Sequence, residues 1–308
     1  MKAPVILFVY KRKDKTEKCI KALEENRYVE DTDLVIFADG YKNESDKGLV
    51  NDVRDYIRAY QNESRFHKVK IYESQQNKGL ANSIISGVSL VMEEYGRAII
   101  VEDDILTSHD FLQYMNEGLD FYEKDQKYGS ISAFTYPLRQ LKKYKKDIYV
   151  TRKGECWGWA TWKNRWERVD WKVSSFDEYF SNEEIRKKFD ELQFGIDHML
   201  CDWKNGKIDS WAVRWCYHLF INEQLTVYPR ISKTMNIGMD GSGTNCGESV
   251  EYKLINDNNN LPFRFEFLDI DYRLEHAASV FEKDNIRKKM FWIKQKIMRC
   301  VTQYIKRD

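Results

Sequence analysis

The chain has 308 residues, with 50 Lys+Arg against 49 Asp+Glu, 42% hydrophobic and 14% aromatic residues. That supplies core for one large or two modest units and excludes a disordered chain. A balance this near neutral gives no electrostatic footprint for nucleic acid, and only 15 Gly and 4 Pro exclude collagen-like or linker-dominated architectures.

The stretch 3–10 is apolar, lacks a small-x-small cleavage site and runs into Lys11, Arg12 and Lys13, so a buried strand explains it better than a leader. Residues 16–26 place Cys19, Ile20 and Leu23 at helical spacing among charges. Residues 34–38 form a second strand ending at the turn pair Asp39-Gly40. In 49–60, Val50, Val53, Ile57 and Tyr60 share one helix face, and 69–72 reads as a short strand. A helix over 79–95 carries Leu80, Ile84, Val88, Val91 and Met92 toward a core, and 98–101 is a strand buried on both faces. Four strands separated by three helices predict an α/β fold, a mostly parallel sheet with helices on both faces. Ligands then sit beyond the carboxyl ends of the strands, which directs attention to Lys11-Arg12, Asp39-Gly40, Glu73-Ser74 and Glu102-Asp103-Asp104.

A helix over 110–124 and an apolar stretch over 129–134 follow, and then eight of the nine tryptophans fall between 157 and 215. Tryptophan-rich stretches are more often core than sugar platforms, so most of these are expected to be structural, with Trp157 or Trp159 the exception. The asparagine-rich run 256–260 reads as a surface loop. Cys19, Cys156, Cys201, Cys216, Cys246 and Cys300 form no Cys-x-x-Cys pair, which argues against zinc and for a reducing compartment, with the cytoplasm as the expectation. No apolar run reaches the roughly 18 residues of a membrane span.

The sharpest signal is Ile99-Ile100-Val101-Glu102-Asp103-Asp104. A buried strand emerging into three acids gathers like charges where burial is costly. A hard cation such as Mn2+ or Mg2+ on oxygen ligands compensates them. The competing explanation is an acidic turn leading into the next helix, with Thr107, Ser108 or Asp110 as its N-cap. His109, His198 and His218 stand alone and read as structural.

Val101-Glu102-Asp103-Asp104-Ile105, followed by Asp110-Phe111 and Tyr114, resembles the metal-binding segment of GT-A fold nucleotide-sugar glycosyltransferases. It is most similar to the Glu-Asp-Asp form of the N-acetylglucosaminyltransferase I family. Pro4 to Phe8 with Arg12, Phe37 to Gly40, Ile208 to Trp211 and Pro229 to Gly238 match in the same order, so the likeness covers about residues 4–245. Trp-Gly-Trp-Ala-Thr-Trp at 157–162 resembles bacterial family 2-like transferases.

The resemblance implies a metal-dependent, inverting transferase that uses a UDP-sugar, with N-acetylglucosamine the suggested sugar. Residue by residue it implies Asp104 as metal ligand, Glu102 and Asp103 on the ribose and the metal's water shell, Asp39 on the uracil N–H, and Arg12 on base or diphosphate. Asp209 would be the general base, with Asp202 and Glu155 as competitors. Departures from the family are Lys11, where the relatives have an aspartate, and Ser210, where they have a second carboxylate. Lys78 opens a helix where an anion can bind, and Glu155, Trp157 and Trp159 are candidate sugar contacts beside glycine. The glycine-rich loop 238–247 can close over donor or be plain surface.

Residues 281–308 hold nine Lys+Arg and three acids, with Ile286, Met290, Ile293, Ile297, Val301 and Ile305 at helical spacing. This basic amphipathic helix suits either an anionic membrane face or packing on protein, including a homo-oligomer partner. The expected organisation is a nucleotide-sugar-binding half over 1–135, an acceptor-side and catalytic half over 136–250, and a C-terminal extension over 251–308. The acceptor would be a glycan or a lipid-linked sugar. A nucleotidyltransferase ranks second, because Lys11-Arg12-Lys13-Asp14 has the charge of a phosphate loop but no glycine. A non-catalytic carbohydrate-binding protein ranks third.

Overall fold

A computed structural model describes residues 2–238 and 262–283. In the first part, β1 (Val5–Val9), α1 (Lys13–Glu24), β2 (Asp33–Ala38), α2 (Lys47–Tyr60), β3 (Lys68–Glu73), α3 (Leu80–Tyr95) and β4 (Arg97–Glu102) alternate as expected. Then come β5 (Ile105–Thr107), α4 (Phe111–Tyr122), β6 (Tyr128–Ser132), β7 (Ile148–Thr151), β8 (Trp159–Trp162) and α5 (Lys163–Trp166). The last group is α6 (Phe176–Ser181), α7 (Glu183–Asp190), α8 (Ile196–Lys204), α9 (Trp211–Ile221), β9 (Leu225–Pro229) and β10 (Thr234–Asn236).

Eight strands make one sheet in the order β3-β2-β1-β4-β8-β6-β9-β7, and β10 pairs with β5 in a separate two-stranded ribbon. The pairs β2–β3, β1–β2, β1–β4 and β6–β9 are parallel, whereas β8 runs antiparallel between β4 and β6, and β7 antiparallel to β9. The carboxyl ends of β1, β2, β4 and β6 therefore share one edge with the amino end of β8.

Every residue of β1 is buried, and period-two alternation divides them between two cores. Val5, Leu7 and Val9 join Leu34, Ile36 and the apolar sides of α1, α2 and α4. Ile6 and Phe8 join Ala81, Ile84, Val88 and Met92 of α3 with Trp211, Trp215 and Leu219 of α9. Helices thus cover both faces, which is why β1 and β4 read as unbroken apolar runs. Helix α3 ends at Gly96, in the left-handed region, whose N–H bonds Met92 O at 2.9 Å.

The predicted elements through α4 appear with ends shifted by up to three residues. The sequence did not predict β5, β7, β8 or β10, each of three or four residues. A third cluster (Val173, Tyr179, Phe189, Ile196, Leu200, Tyr217) binds α6, α7 and α8 to α9, forming a small helical subregion beside the sheet. Residues 263–271 cross the α4 side as an extended strap. Phe265 packs on Tyr114 and Tyr122, Tyr122 Oη donates to Glu266 O at 2.6 Å, and Asp271 N–H donates to Val150 O at 3.0 Å. Residues 272–283 are helical and dock through the Arg152–Glu275 ion pair at 2.6 Å. The basic stretch beyond 283, the loop from 239 and the asparagine-rich run lie outside the described residues. Among the described residues no helix is long and apolar enough to cross a membrane.

Candidate active site

The three acids leave β4 at the sheet edge defined above. Glu102 is the strand's last residue, and Asp103 and Asp104 form the turn into β5. Both aspartates are buried. Arg12, just past β1, reaches across and donates through Nη2 to Asp103 Oδ1 and, at 2.9 Å, to Asp104 Oδ2. One guanidinium thus binds two carboxylates, with Glu102 adjoining them. Burial, with Asp104 and Asp103 beside it, pushes the Glu102 carboxyl up to about 8. Burial likewise outweighs Arg12 at Asp103, which rises to about 6. The corner holds more negative charge than its own cation neutralises.

That surplus, presented by carboxylate oxygens alone, fits a hard divalent ion. Among the described residues no three His, Cys, Asp or Glu side chains converge into a complete ligand set. An ion here needs further oxygens from a bound phosphate or from water.

The β5–β10 ribbon closes the corner from above. Ile237 N–H donates to Asp104 O at 2.8 Å, and Lys15 Nζ donates to Ile237 O at 2.9 Å. A Cβ at Gly238 would overlap the Asp104 carboxylate and lie 3.1 Å from Arg12 Nη1. The ribbon is pinned by a buried ion pair, Lys233 Nζ to Asp110 Oδ2 at 2.5 Å, and Ser108 Oγ donates to the other oxygen of Asp110 at 2.6 Å. Sequence reading did not single out Lys15, Asp110 as an ion-pair partner, or Lys233. A lysine looks like surface until the chain bends over it.

Asp39, just past β2, accepts from Gly40 N–H (2.9 Å), Lys78 N–H (2.9 Å) and Gly79 N–H (3.1 Å). Its carboxylate holds the loop that opens α3, and its two oxygens keep acceptor capacity for a further donor. Lys78 contributes its backbone N–H to Asp39, and the residue itself is exposed. Gly40 leaves room for this loop, because a Cβ there would sit 2.7 Å from Asn77 N.

Asp209 comes from the far half of the chain, just before Ser210, whose Oγ accepts from Val213 N–H and caps α9. Its carboxylate reaches within 3.6 Å of a Cβ built at Gly79, so the fold joins Asp209 to the Asp39 loop. The amino ends of α3 and α9 therefore meet, and both macrodipoles favour an anion between them.

Two expectations need correcting. Trp159 is 1% exposed, stacked on Trp211 at 5.1 Å and packed on Trp166 and Trp215, so it is core and touches no sugar. Its place in β8, beside Ile100 of β4 and Ser132 of β6, carries the ring into the α3–α9 core. Glu155 is also buried. Its Oε1 accepts from Cys156 N–H at 3.0 Å, and Oε2 lies 3.6 Å from Lys153 Nζ, which also binds Glu282 at 2.9 Å. That removes Glu155 both from acceptor contact and from competition for the base role. Asp202 is held by Lys207 at 3.0 Å. Trp157 is half-buried, edge-on to Phe134 at 4.6 Å, and its carbonyl accepts from Thr234 Oγ1 of the ribbon. Burial pushes the Cys19 and Cys156 thiols well up, with acidic neighbours adding to it, so neither is a thiolate nucleophile.

The wound sheet, with acids at the end of β4 and a helical subregion beside it, has the architecture of the GT-A fold. The chain belongs to glycosyl transferase family 2, whose family model matches residues 5–199. A search of curated proteins finds no match. Among solved structures the chain resembles the mannosyltransferase PcManGT from Pyrobaculum calidifontis in complex with GDP-Man and Mn2+, at 15% identity and a TM-score of 0.38 over 55% of this chain and 47% of that one. It resembles S. aureus TarS 1-349 at 9% identity and a TM-score of 0.45 over 78% and 61%. GalNAc-T7 with UDP, GalNAc and Mn2+ matches at 10% identity and a TM-score of 0.43 over 75% and 43%. The chain thus covers less than two thirds of each of these structures.

Proposed function

We propose that this glycosyltransferase is metal-dependent and inverting, and that it moves a sugar, N-acetylglucosamine first among those considered, from a UDP-sugar to a glycan or lipid-linked acceptor. The observation that carries this reading is the corner at the end of β4, where Glu102, Asp103 and Asp104 share the single guanidinium of Arg12. Asp104 would hold Mn2+ or Mg2+, with Glu102 and Asp103 toward the ribose and the water shell. The ion would serve as a Lewis acid for the leaving diphosphate. Arg12 adds positive charge on the same side, and the amino ends of α3 and α9 add their dipoles. Asp39, which also pins the 76–79 loop, would accept from the uracil N3–H. Asp209, 60% exposed on its side chain, takes the acceptor hydroxyl's proton as the attack develops. Trp157 offers a ring to a pyranose face. Residues 1–135 form the donor half and 136–250 the acceptor side, and the basic stretch 281–308 is read as a peripheral contact with an anionic membrane.

The test is calorimetric titration with UDP with and without Mn2+, followed by a hydrolysis screen of UDP-, GDP- and TDP-sugars. UDP binding that strengthens with Mn2+ and is lost in Asp104→Asn supports the reading, and binding indifferent to metal sinks it. Asp209→Asn should keep UDP affinity and lose about 100-fold or more in turnover. Full turnover in that variant removes the base assignment.

A further inference from the structure

Asp209 is a poorly restrained carboxylate. It sits in the loop before α9, its side chain is 60% exposed, and its nearest charged neighbour is Arg214 Nη2 at 3.7 Å. Arg214 is the opposite case. It lies one helical turn into α9 with its side chain 9% exposed. Its Nε donates to Ser210 O at 3.0 Å and its Nη1 to Trp171 O at 3.1 Å. The guanidinium carbon lies 5.0 Å from the Trp203 ring and 5.7 Å from the Trp171 ring. Two backbone carbonyls and two indoles therefore hold the cation, and Nη2 is left facing Asp209.

This asymmetry has a physical consequence. Nε and Nη1 already meet strong acceptors, and the indole faces stabilise the charge where water is scarce. The strongest arginine–carboxylate pairs close to bidentate contact. Here the fixed partner stays at 3.7 Å and the other partner stays open to solvent.

We propose that Arg214, clamped between Trp171 and Trp203, is a positioning residue that holds the Asp209 carboxylate toward the acceptor hydroxyl. The assignment rests on Asp209 being the base. Arg214 acts through Asp209 and not on the reacting atoms. It approaches the Asp209 carboxylate at 3.7 Å from one side, while the start of α3 at Gly79 lies near it on the other. Because Ser210 O anchors the guanidinium, the restraint also ties down the residue directly after the base. A base misaimed by about 1 Å forfeits about 100-fold in rate, and among the described residues Arg214 is the one charged partner of Asp209.

The test uses the full chain and release of UDP from UDP-N-acetylglucosamine, or from the nucleotide sugar turned over fastest in the screen above. Wild type is compared with Arg214→Gln, Arg214→Lys, Asp209→Asn and the Asp209→Asn/Arg214→Gln double variant. Arg214→Gln should lower kcat about 10- to 100-fold, with the donor KM and calorimetric UDP affinity unchanged. Arg214→Lys should recover part of kcat, since it restores the charge without the fork. The double variant should be no slower than Asp209→Asn alone, because the restraint has nothing left to aim. Wild-type kcat in Arg214→Gln, or losses that multiply in the double variant, overturn the proposal. If Arg214→Gln does not fold, Arg214→Lys decides, and an unchanged kcat there overturns it too. An inactive Asp209→Asn beside a fully active Arg214→Gln removes only this proposal. A fully active Asp209→Asn removes the base assignment and this proposal together.

Discussion

At position 238 a methyl group has nowhere to go. It would overlap the Asp104 carboxylate, and Arg12 Nη1 would be 3.1 Å away. Asp104 cannot yield freely, because Arg12 holds its Oδ2 at 2.9 Å and Ile237 N–H holds its backbone oxygen at 2.8 Å. Gly238→Ala should therefore displace the proposed metal ligand and leave the cores untouched. The expected result is a loss of about tenfold or more in Mn2+-dependent UDP affinity by calorimetry, comparable to the disturbance of a ligand's supporting contacts. Thermal unfolding should stay near wild type. Normal affinity in Gly238→Ala would mean that Asp104 does not hold the ion. Residue types alone did not reveal this crowding: the sequence placed Gly238 in a loop, and only the return of β10 along β5 sets it on Asp104.

The β5–β10 ribbon has three residues per strand, too few to hold its place by pairing alone. Its anchor is the Lys233–Asp110 pair, both under 5% exposed, with Lys233 N–H donating to Ala133 O at 2.7 Å and Lys233 O accepting from Ser108 N–H at 2.9 Å. The ammonium also lies 4.7 Å from the Phe263 ring of the strap. Lys233→Met removes one charge of a desolvated pair and strands the other, at a cost of about 3–5 kcal/mol. The Asp110→Asn/Lys233→Met double variant should be destabilised less, since no lone charge remains. Chemical denaturation of the two variants checks this, and a double variant as unstable as the single would show that the pair acts by shape rather than charge. Because the ribbon carries Ile237 and Gly238, Lys233→Met should also weaken Mn2+-dependent UDP binding.

Across the whole molecule, what could be read from sequence was whatever repeats along the chain. The apolar runs of β1, β2 and β4 and the 3.6-residue spacing in α2 and α3 announced the wound half, and the acids after β4 marked its working edge. Partnerships between distant segments left no such mark. Neither Asp209 with Gly79 nor Arg214 between two tryptophans has a periodicity, and Asp209 was found by family likeness. Trp159 was misread because a tryptophan beside glycine looks the same in sequence whether it turns into the core or out of it. The strap is the largest feature that sequence reading passed over. Phe263, Phe265 and Phe267 alternate with charged residues as a half-buried extended segment does, and Phe263 and Phe265 pack on Tyr114 at 5.2 and 5.4 Å. The hydroxyls of Tyr122 and Tyr128 bond the strap's backbone at Glu266 and Leu268. Removing residues 262–308 would bare those rings and leave both phenols without these partners, and it would take away Glu275 from Arg152. Each buried aromatic contact of this kind is worth about 0.5–1.5 kcal/mol beyond its area, against a total stability of about 5–15 kcal/mol. The truncated chain should therefore unfold well below the full chain in thermal scans and associate on gel filtration. A truncated chain that stays monomeric, with unchanged thermal unfolding, would show that the wound sheet and its helices suffice without the strap.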